Sequence, residues 1–348
     1  MRSRESLRSA LEAAKRSEAY ASYLEVRERV LDWLDETPNS AGRESAYWQE
    51  ELEGFEYMLD ASPLVIAKLR EHCYHLTGLR SYDYRSHHRH KAQPFAEKLE
   101  SLRAIDRSGL FVAEPPILGG FGHQLSGGLV NLDTLKLYEA LIALDHGGIL
   151  GGLREAGGRS KVVVEIGSGW GGFAQQLKTV CPEVSYVVVD LPQAILFSAT
   201  YLKTVFPRAP VKLWSSGDPP GSDRAGDDWR GGFFFVPHHA IATLRLPAIT
   251  AAINMCSFQE MTTEQVRTYA RLLKERGCGA LYSLNRDRSS HNRELTSVSD
   301  VLGEIFRVVE ISLLDAPYTT LGRVRPADKS SAEGVRDPRE YRHLIARV

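Results

Sequence analysis

Lys161-Val162-Val163-Val164-Glu165-Ile166 runs directly into Gly167-Ser168-Gly169-Trp170-Gly171-Gly172. No other stretch of the chain constrains the fold as tightly. A nearly continuous β-branched run predicts a strand buried on both faces, as in parallel sheets covered by helices. Glycines at this spacing allow a tight turn and close approach of the backbone to a ligand where the next helix opens, predicted from Gly172 to about Val180. The alternation then continues. Strands are predicted at Ser185 to Asp190, Val211 to Trp214, Phe233 to Val236, Ala251 to Met255 and Ala280 to Leu284, with helices over 192–205 and from Thr263 to Lys274. The expectation is an α/β fold with a doubly wound, mostly parallel, Rossmann-like sheet. The polar runs 216–232 and Ala327 to Asp337 read as loops, the second followed by a short C-terminal helix.

The sheet pattern is preceded by a helical N-terminal region, giving expected units of 1–116 and 117–348. Residues 5–36 carry Leu7, Leu11, Leu24, Val30, Leu31 and Leu34 among many charges, a largely solvated amphipathic pattern. Thr37 to Gly42 is a break, and a second helix is expected from about Glu44 to Leu59. Ser62-Pro63 reads as an N-cap with proline at the first helical position, and Gly78 closes that third helix. His87, His88 and His90 lie in a polar loop without acidic or cysteine partners at metal-binding spacing, so a solvated loop or a basic rim is expected. The stretch 118–128 is the most glycine-dense in the chain and contains Phe121, His123 and Gln124. It is read as a site-lining loop, with a helix capped by Asn131 or Asp133 behind it.

A net charge of -1 supplies no global field to hold a polyanion, so nucleic acid is not an expected partner. No run approaches the roughly 18 apolar residues that span a bilayer, and Met1-Arg2-Ser3-Arg4-Glu5 does not open a signal peptide. Cys73, Cys181, Cys256 and Cys278 are scattered, with no Cys-x-x-Cys pair. A cytoplasmic protein without membrane partners is expected.

The glycine loop satisfies G-x-G-x-x-G, which admits a nicotinamide or flavin dinucleotide. Two features favour S-adenosylmethionine. Glu165, inside the strand end, suits a cofactor with an ammonium and a sulfonium and would repel a pyrophosphate. The nucleotide-binding strand also begins about 160 residues into the chain, after a region that can act as a lid. Val189-Asp190-Leu191-Pro192 ends the second strand with a carboxylate for ribose hydroxyls, as NAD enzymes also do. The candidate cofactor-binding residues are Glu165, Gly167, Ser168, Gly169, Asp190 and Leu191.

Residues 163–172, Val-Asp-Leu-Pro (189–192), Ile253-Asn254-Met255-Cys256-Ser257-Phe258-Gln259-Glu260-Met261 and Gly-Gly-Leu-Val-Asn-Leu-Asp-Thr-Leu (127–135) together resemble the sugar O-methyltransferases of bacterial secondary-metabolite and glycan pathways. The resemblance spans about 117–325. It implies a class I methyltransferase domain and methylation of a sugar hydroxyl on a glycoside or glycosylated natural product. A non-sugar hydroxyl is the alternative, followed by an NAD(P)-dependent oxidoreductase or an inactive binding subunit. The helical region would then cover the acceptor or form a homodimer interface. In a more distant group, dimeric small-molecule O-methyltransferases, a His-Asp pair follows strand four; Gln259 and Glu260 stand there here, so glutamine has replaced the base. Candidate bases are Glu260, then His238 and His239 after Phe233 to Val236, and His123 from the glycine-rich stretch. A magnesium ion is an open question, with Glu260, Asp287 and Asn285 as candidate ligands.

Overall fold

The computed structural model describes residues 4–36, 46–155, 161–216, 229–289, 292–294, 297–327, 337 and 340–348. A two-stranded hairpin joins β1 (His123–Leu125) to β2 (Gly128–Val130). The main sheet comprises β3 (Val162–Ile166), β4 (Ser185–Asp190), β5 (Val211–Leu213), β6 (Phe233–Pro237), β7 (Ile249–Met255), β8 (Leu281–Arg286), β9 (Arg307–Glu310) and β10 (Tyr341–Arg347). Their order is β5-β6-β4-β3-β7-β8-β10-β9. Pairing is parallel from β5 through β8, and β10 runs against both its neighbours. This is the doubly wound, mostly parallel α/β sheet expected. The winding moves outward from β3 through β4, then returns to β7 on the other side of β3. That reversal opens a crevice beyond the carboxyl ends of β3 and β7.

Both faces of β3 are covered, which is why its residues are all buried. Val163 joins one apolar layer with the helices Leu132–His146, Gly172–Val180 and Pro192–Val205. Val162 and Val164 join the opposite layer with Val266, Ala270 and Leu273 of the helix Thr263–Glu275. Reciprocal capping boxes start two of these helices, Asn131 with Thr134 and Thr262 with Gln265. Of the two expected caps at the first, Asn131 is the one used.

The N-terminal helices share the first of these apolar layers. Tyr23, Val26, Val30 and Trp33 of the helix Glu18–Glu36 are buried within it. Trp33 Nε1 donates to the Trp214 carbonyl at 3.1 Å, and Phe55 meets Phe197 edge to face at 5.5 Å. The expectation of a mostly solvated pattern over 5–36 is therefore corrected. The helix breaks after Lys15, and its second part is a core element. The second helix is described as Ala46–Glu53 followed by a 3-10 turn at Glu56–Asp60. The third divides into Pro63–Ile66, Leu69–His72 and Tyr74–Thr77 before Gly78. Ser62 does cap Pro63–Ile66, accepting from Val65 N.

Two further expectations are overturned. The C-terminal helix is instead β10, whose Leu344, Ile345 and Ala346 pair with β8 and β9 inside the sheet. Short apolar runs carry no period that separates helix from strand, and here an unfilled sheet position decides. The glycine-rich stretch does not line the crevice; it folds into the β1–β2 hairpin. A Cβ on Gly122 would sit 2.7 Å from backbone atoms of Val130, so its glycine serves chain-on-chain packing. The break Thr37 to Gly42 lies outside the described residues, as do 217–228 and 328–336 of the two expected loops. Among the described residues, no helix is long and apolar enough to cross a membrane.

Candidate active site

The six residues expected to hold a cofactor all line one cleft at the carboxyl ends of β3 and β4. Gly167 starts the loop with φ +76° and donates its N–H to Val189 O at 2.8 Å. A Cβ there would lie 2.1 Å from Ser257 Oγ, so glycine is what lets the loop after β7 approach. Asp190 turns back onto the glycine loop. Its Oδ2 accepts from Gly169 N at 2.9 Å and Ser168 Oγ at 3.3 Å, and its Oδ1 accepts from Leu191 N at 2.8 Å. Burial pushes the Asp190 carboxyl up to about 6 against the pull of these hydrogen bonds.

Glu165 is 1% exposed and accepts a hydrogen bond from Tyr186 OH at 2.9 Å. Burial drives its carboxyl up to about 8; Tyr186 opposes the rise and Asp190 adds to it. No lysine or arginine of the described residues contributes to that balance.

Glu260 ends the 3-10 turn Phe258–Glu260 after β7 and faces the same cleft. Burial raises it to about 8, with the nearby charges of Asp190 and Glu51 adding to the rise. His238, in the turn after β6, also lines the cleft. Burial, and then His239, lowers its imidazole to about 4. His239 is not among the lining residues; its ring stands edge-on to Trp214 at 5.9 Å. His123 is likewise outside the cleft lining. It is 4% exposed in β1, with its ring 5.0 Å from Tyr84 and 4.9 Å from Phe95. Packing of the hairpin under that aromatic cluster takes it away from the site.

Gln259 is a brace. Its Oε1 accepts from Arg286 N at 3.0 Å, its Nε2 donates to Tyr341 OH at 3.4 Å, and its backbone carbonyl accepts from Asn292 Nδ2 at 3.1 Å. These bonds tie the β7 turn to β8 and β10 and set the direction of Glu260. Asn285 and Asp287 are also engaged within the protein: Asn285 Nδ2 donates to Asn254 Oδ1 at 2.8 Å, and Asp287 pairs with Arg342. Among the described residues, no group of three or more His, Cys, Asp or Glu side chains could hold a metal ion.

Several lining residues escaped sequence reasoning. Trp48, Leu76 and Thr77 roof the cleft from the N-terminal region, and no local signal marks them. Cys256 lies at the end of β7 with φ +58°, uncommon for a non-glycine residue. Lys136 follows directly on the 127–135 motif, which could have drawn attention to it.

No protein-family profile and no curated protein matches the chain. Solved structures similar to parts of it include the precorrin-6y C5,15-methyltransferase of Geobacter metallireducens GS-15, at 13% identity and a TM-score of 0.34 over 57% of this chain and 85% of that one. An O-methyltransferase family protein from Burkholderia thailandensis aligns at 14% identity and a TM-score of 0.33, over 62% of this chain and 59% of that one. The magnesium protoporphyrin IX methyltransferase ChlM of Synechocystis PCC 6803, with bound SAM, aligns at 11% identity and a TM-score of 0.35, over 64% and 86% of the two chains.

Proposed function

We propose that the cleft binds S-adenosylmethionine and that the chain is a methyltransferase acting on a hydroxyl oxygen, with a sugar as the acceptor. The observation that carries the cofactor reading is Glu165, a buried carboxyl under the glycine loop whose charge no lysine or arginine of the described residues offsets. An ammonium at that point lets the carboxyl ionise, whereas the pyrophosphate of a dinucleotide meets it with like charge. Asp190, anchored by the amides of Gly169 and Leu191, is the hydrogen-bond acceptor for ribose hydroxyls. The cofactor, when bound, supplies an electrophilic methyl carbon. The chain's own work is to orient an acceptor hydroxyl, exclude water and take up its proton. Glu260 is the side chain for that proton, because it lines the cleft and its raised carboxyl is a stronger base than an ordinary glutamate. Trp48, Leu76 and Thr77 of the N-terminal region line the cleft beside it.

The sugar rests on the resemblance of the Ser257 to Met261 segment, and a non-sugar hydroxyl is the second reading. Calorimetry with S-adenosylhomocysteine, NAD and NADP tests the cofactor. S-adenosylhomocysteine should bind far more tightly, and Asp190→Ala should weaken it by about 1.5–3 kcal/mol, the range for hydrogen bonds to a charged group. Tight NAD binding without any response to S-adenosylhomocysteine overturns the reading. Methyl-labelled cofactor with a panel of glycosides, catechols and amines tests the acceptor: label confined to phenols or nitrogen rules out the sugar.

A further inference from the structure

Among the described residues, the acidic and basic side chains other than histidine that line the cleft are Glu165, Asp190, Glu260 and Lys136. Lys136 is thus the single lysine or arginine among the described lining residues, beside three carboxyl residues. It projects from the helix Leu132–His146, keeps part of its surface exposed, and pairs with Asp133 Oδ1 at 3.0 Å. Asp133 also accepts from Arg70 Nη2 at 2.8 Å, and Arg70 donates through Nε to Glu114 Oε1 at 2.8 Å. Arg70 is fully buried, and its guanidinium lies 3.8 Å over the ring of Trp170, within the glycine loop. The ammonium is therefore fastened through Asp133, Arg70 and Trp170 to the loop that shapes the cleft. Such a chain of buried, paired charges is costly to assemble unless each member is satisfied. Lys136 is the member that lines the cleft, its Nζ 5.8 Å from the centre of the Tyr318 ring. Its single ion pair among the described residues leaves ammonium donors for a second anion.

We infer that Lys136 is the carboxylate seat of this cleft. The inference rests on the cofactor reading above, because one source of that carboxylate is the amino-acid end of the cofactor, whose ammonium is assigned to Glu165. The other source is an acidic acceptor, such as a uronic acid. In both cases a carboxylate meets a preorganised ammonium away from bulk water, where a charge-assisted hydrogen bond is strong.

Calorimetry separates the sources using S-adenosylhomocysteine, 5′-methylthioadenosine (which lacks the amino-acid end), and the paired acceptors p-nitrophenyl β-glucuronide and p-nitrophenyl β-glucoside. Lys136→Met is compared with Lys136→Arg and the unaltered protein. If the seat serves the cofactor, Lys136→Met loses tenfold or more in affinity for S-adenosylhomocysteine, keeps its affinity for 5′-methylthioadenosine, and Lys136→Arg recovers part of the loss. If it serves the acceptor, S-adenosylhomocysteine binding is unchanged, and any preference for glucuronide over glucoside disappears in Lys136→Met. Retained 5′-methylthioadenosine binding certifies that the variant is folded. A Lys136→Met protein with unchanged affinity for S-adenosylhomocysteine and no altered acceptor preference overturns the inference. Failure of the unaltered protein to bind S-adenosylhomocysteine at all overturns the cofactor reading instead.

Discussion

At the scale of single residues, burial has moved the two candidate bases apart. A carboxylate and an imidazole ordinarily titrate near 4.3 and 6.5, so a sequence alone would expect a flat profile above pH 6 from Glu260 and a limb near pH 6 to 7 from a histidine. In the fold, Glu260 is pushed up to about 8 and His238 down to about 4. A base works only when deprotonated, so with Glu260 the turnover number rises as pH increases through an acid limb. That limb lies below 8 once a cationic cofactor is beside the carboxyl, but still above the ordinary glutamate range. With His238 the limb would stand near 4. The check is the pH profile of kcat for the unaltered protein, together with Glu260→Gln, whose kcat should fall roughly 10²-fold with S-adenosylhomocysteine binding retained. A limb near 4 and an active Glu260→Gln would hand the role to His238. Glu260 itself was legible in the Ser-Phe-Gln-Glu-Met segment, but its pKa was not, because burial in the cleft and the charges of Asp190 and Glu51 come from residues far away in the sequence.

At the scale of elements, the strand–glycine–helix junction depends on one close approach. Gly167 combines φ +76° with a Cβ position 2.1 Å from Ser257 Oγ. Gly167→Ala should therefore destabilise the protein by about 1–3 kcal/mol through backbone strain, and more through the clash with Ser257. Thermal unfolding measures the total. Adding Ser257→Gly should recover the steric part and leave the backbone part, so a double variant no more stable than Gly167→Ala would refute this account. The junction was readable because its signal is local: buried β-branched residues, then glycines, then a helix. The elements that sequence reasoning misplaced share a different property. The C-terminal run through Leu344, Ile345 and Ala346 became a strand because the sheet offered it partners in β8 and β9. The glycine-dense stretch became a hairpin because Gly122 allows it to lie on Val130.

For the whole molecule, the cleft stores unfavourable electrostatics that a ligand can relieve. Glu165 and Glu260 are raised to about 8 and Asp190 to about 6. Groups with raised carboxyl pKa values bind more protons folded than unfolded, so they favour the fold at low pH and lose that contribution as pH rises through the folded value. His238, lowered to about 4, acts oppositely, costing stability as pH falls below about 6.5. Between pH 6.5 and 8 the carboxyls dominate. The melting temperature of the ligand-free protein should decline across that window, and saturating S-adenosylhomocysteine should flatten the decline by placing an ammonium beside Glu165. A melting temperature that rises from pH 6.5 to 8 without ligand would contradict this assignment of the cleft's charges.

By itself the sequence determined the sheet-forming strands from β3 to β8 and the glycine loop between β3 and its helix, because each is encoded within a few neighbouring positions. It also placed Asp190 correctly at a strand end. Only the tertiary structure decided that His123 belongs to an aromatic cluster, that Gln259 braces β8 and β10, and that Trp48 and Lys136 face the cleft. Each of those outcomes depends on contacts between residues far apart in the chain. Their energies come from burial and pairing across the fold, which no local period or spacing records.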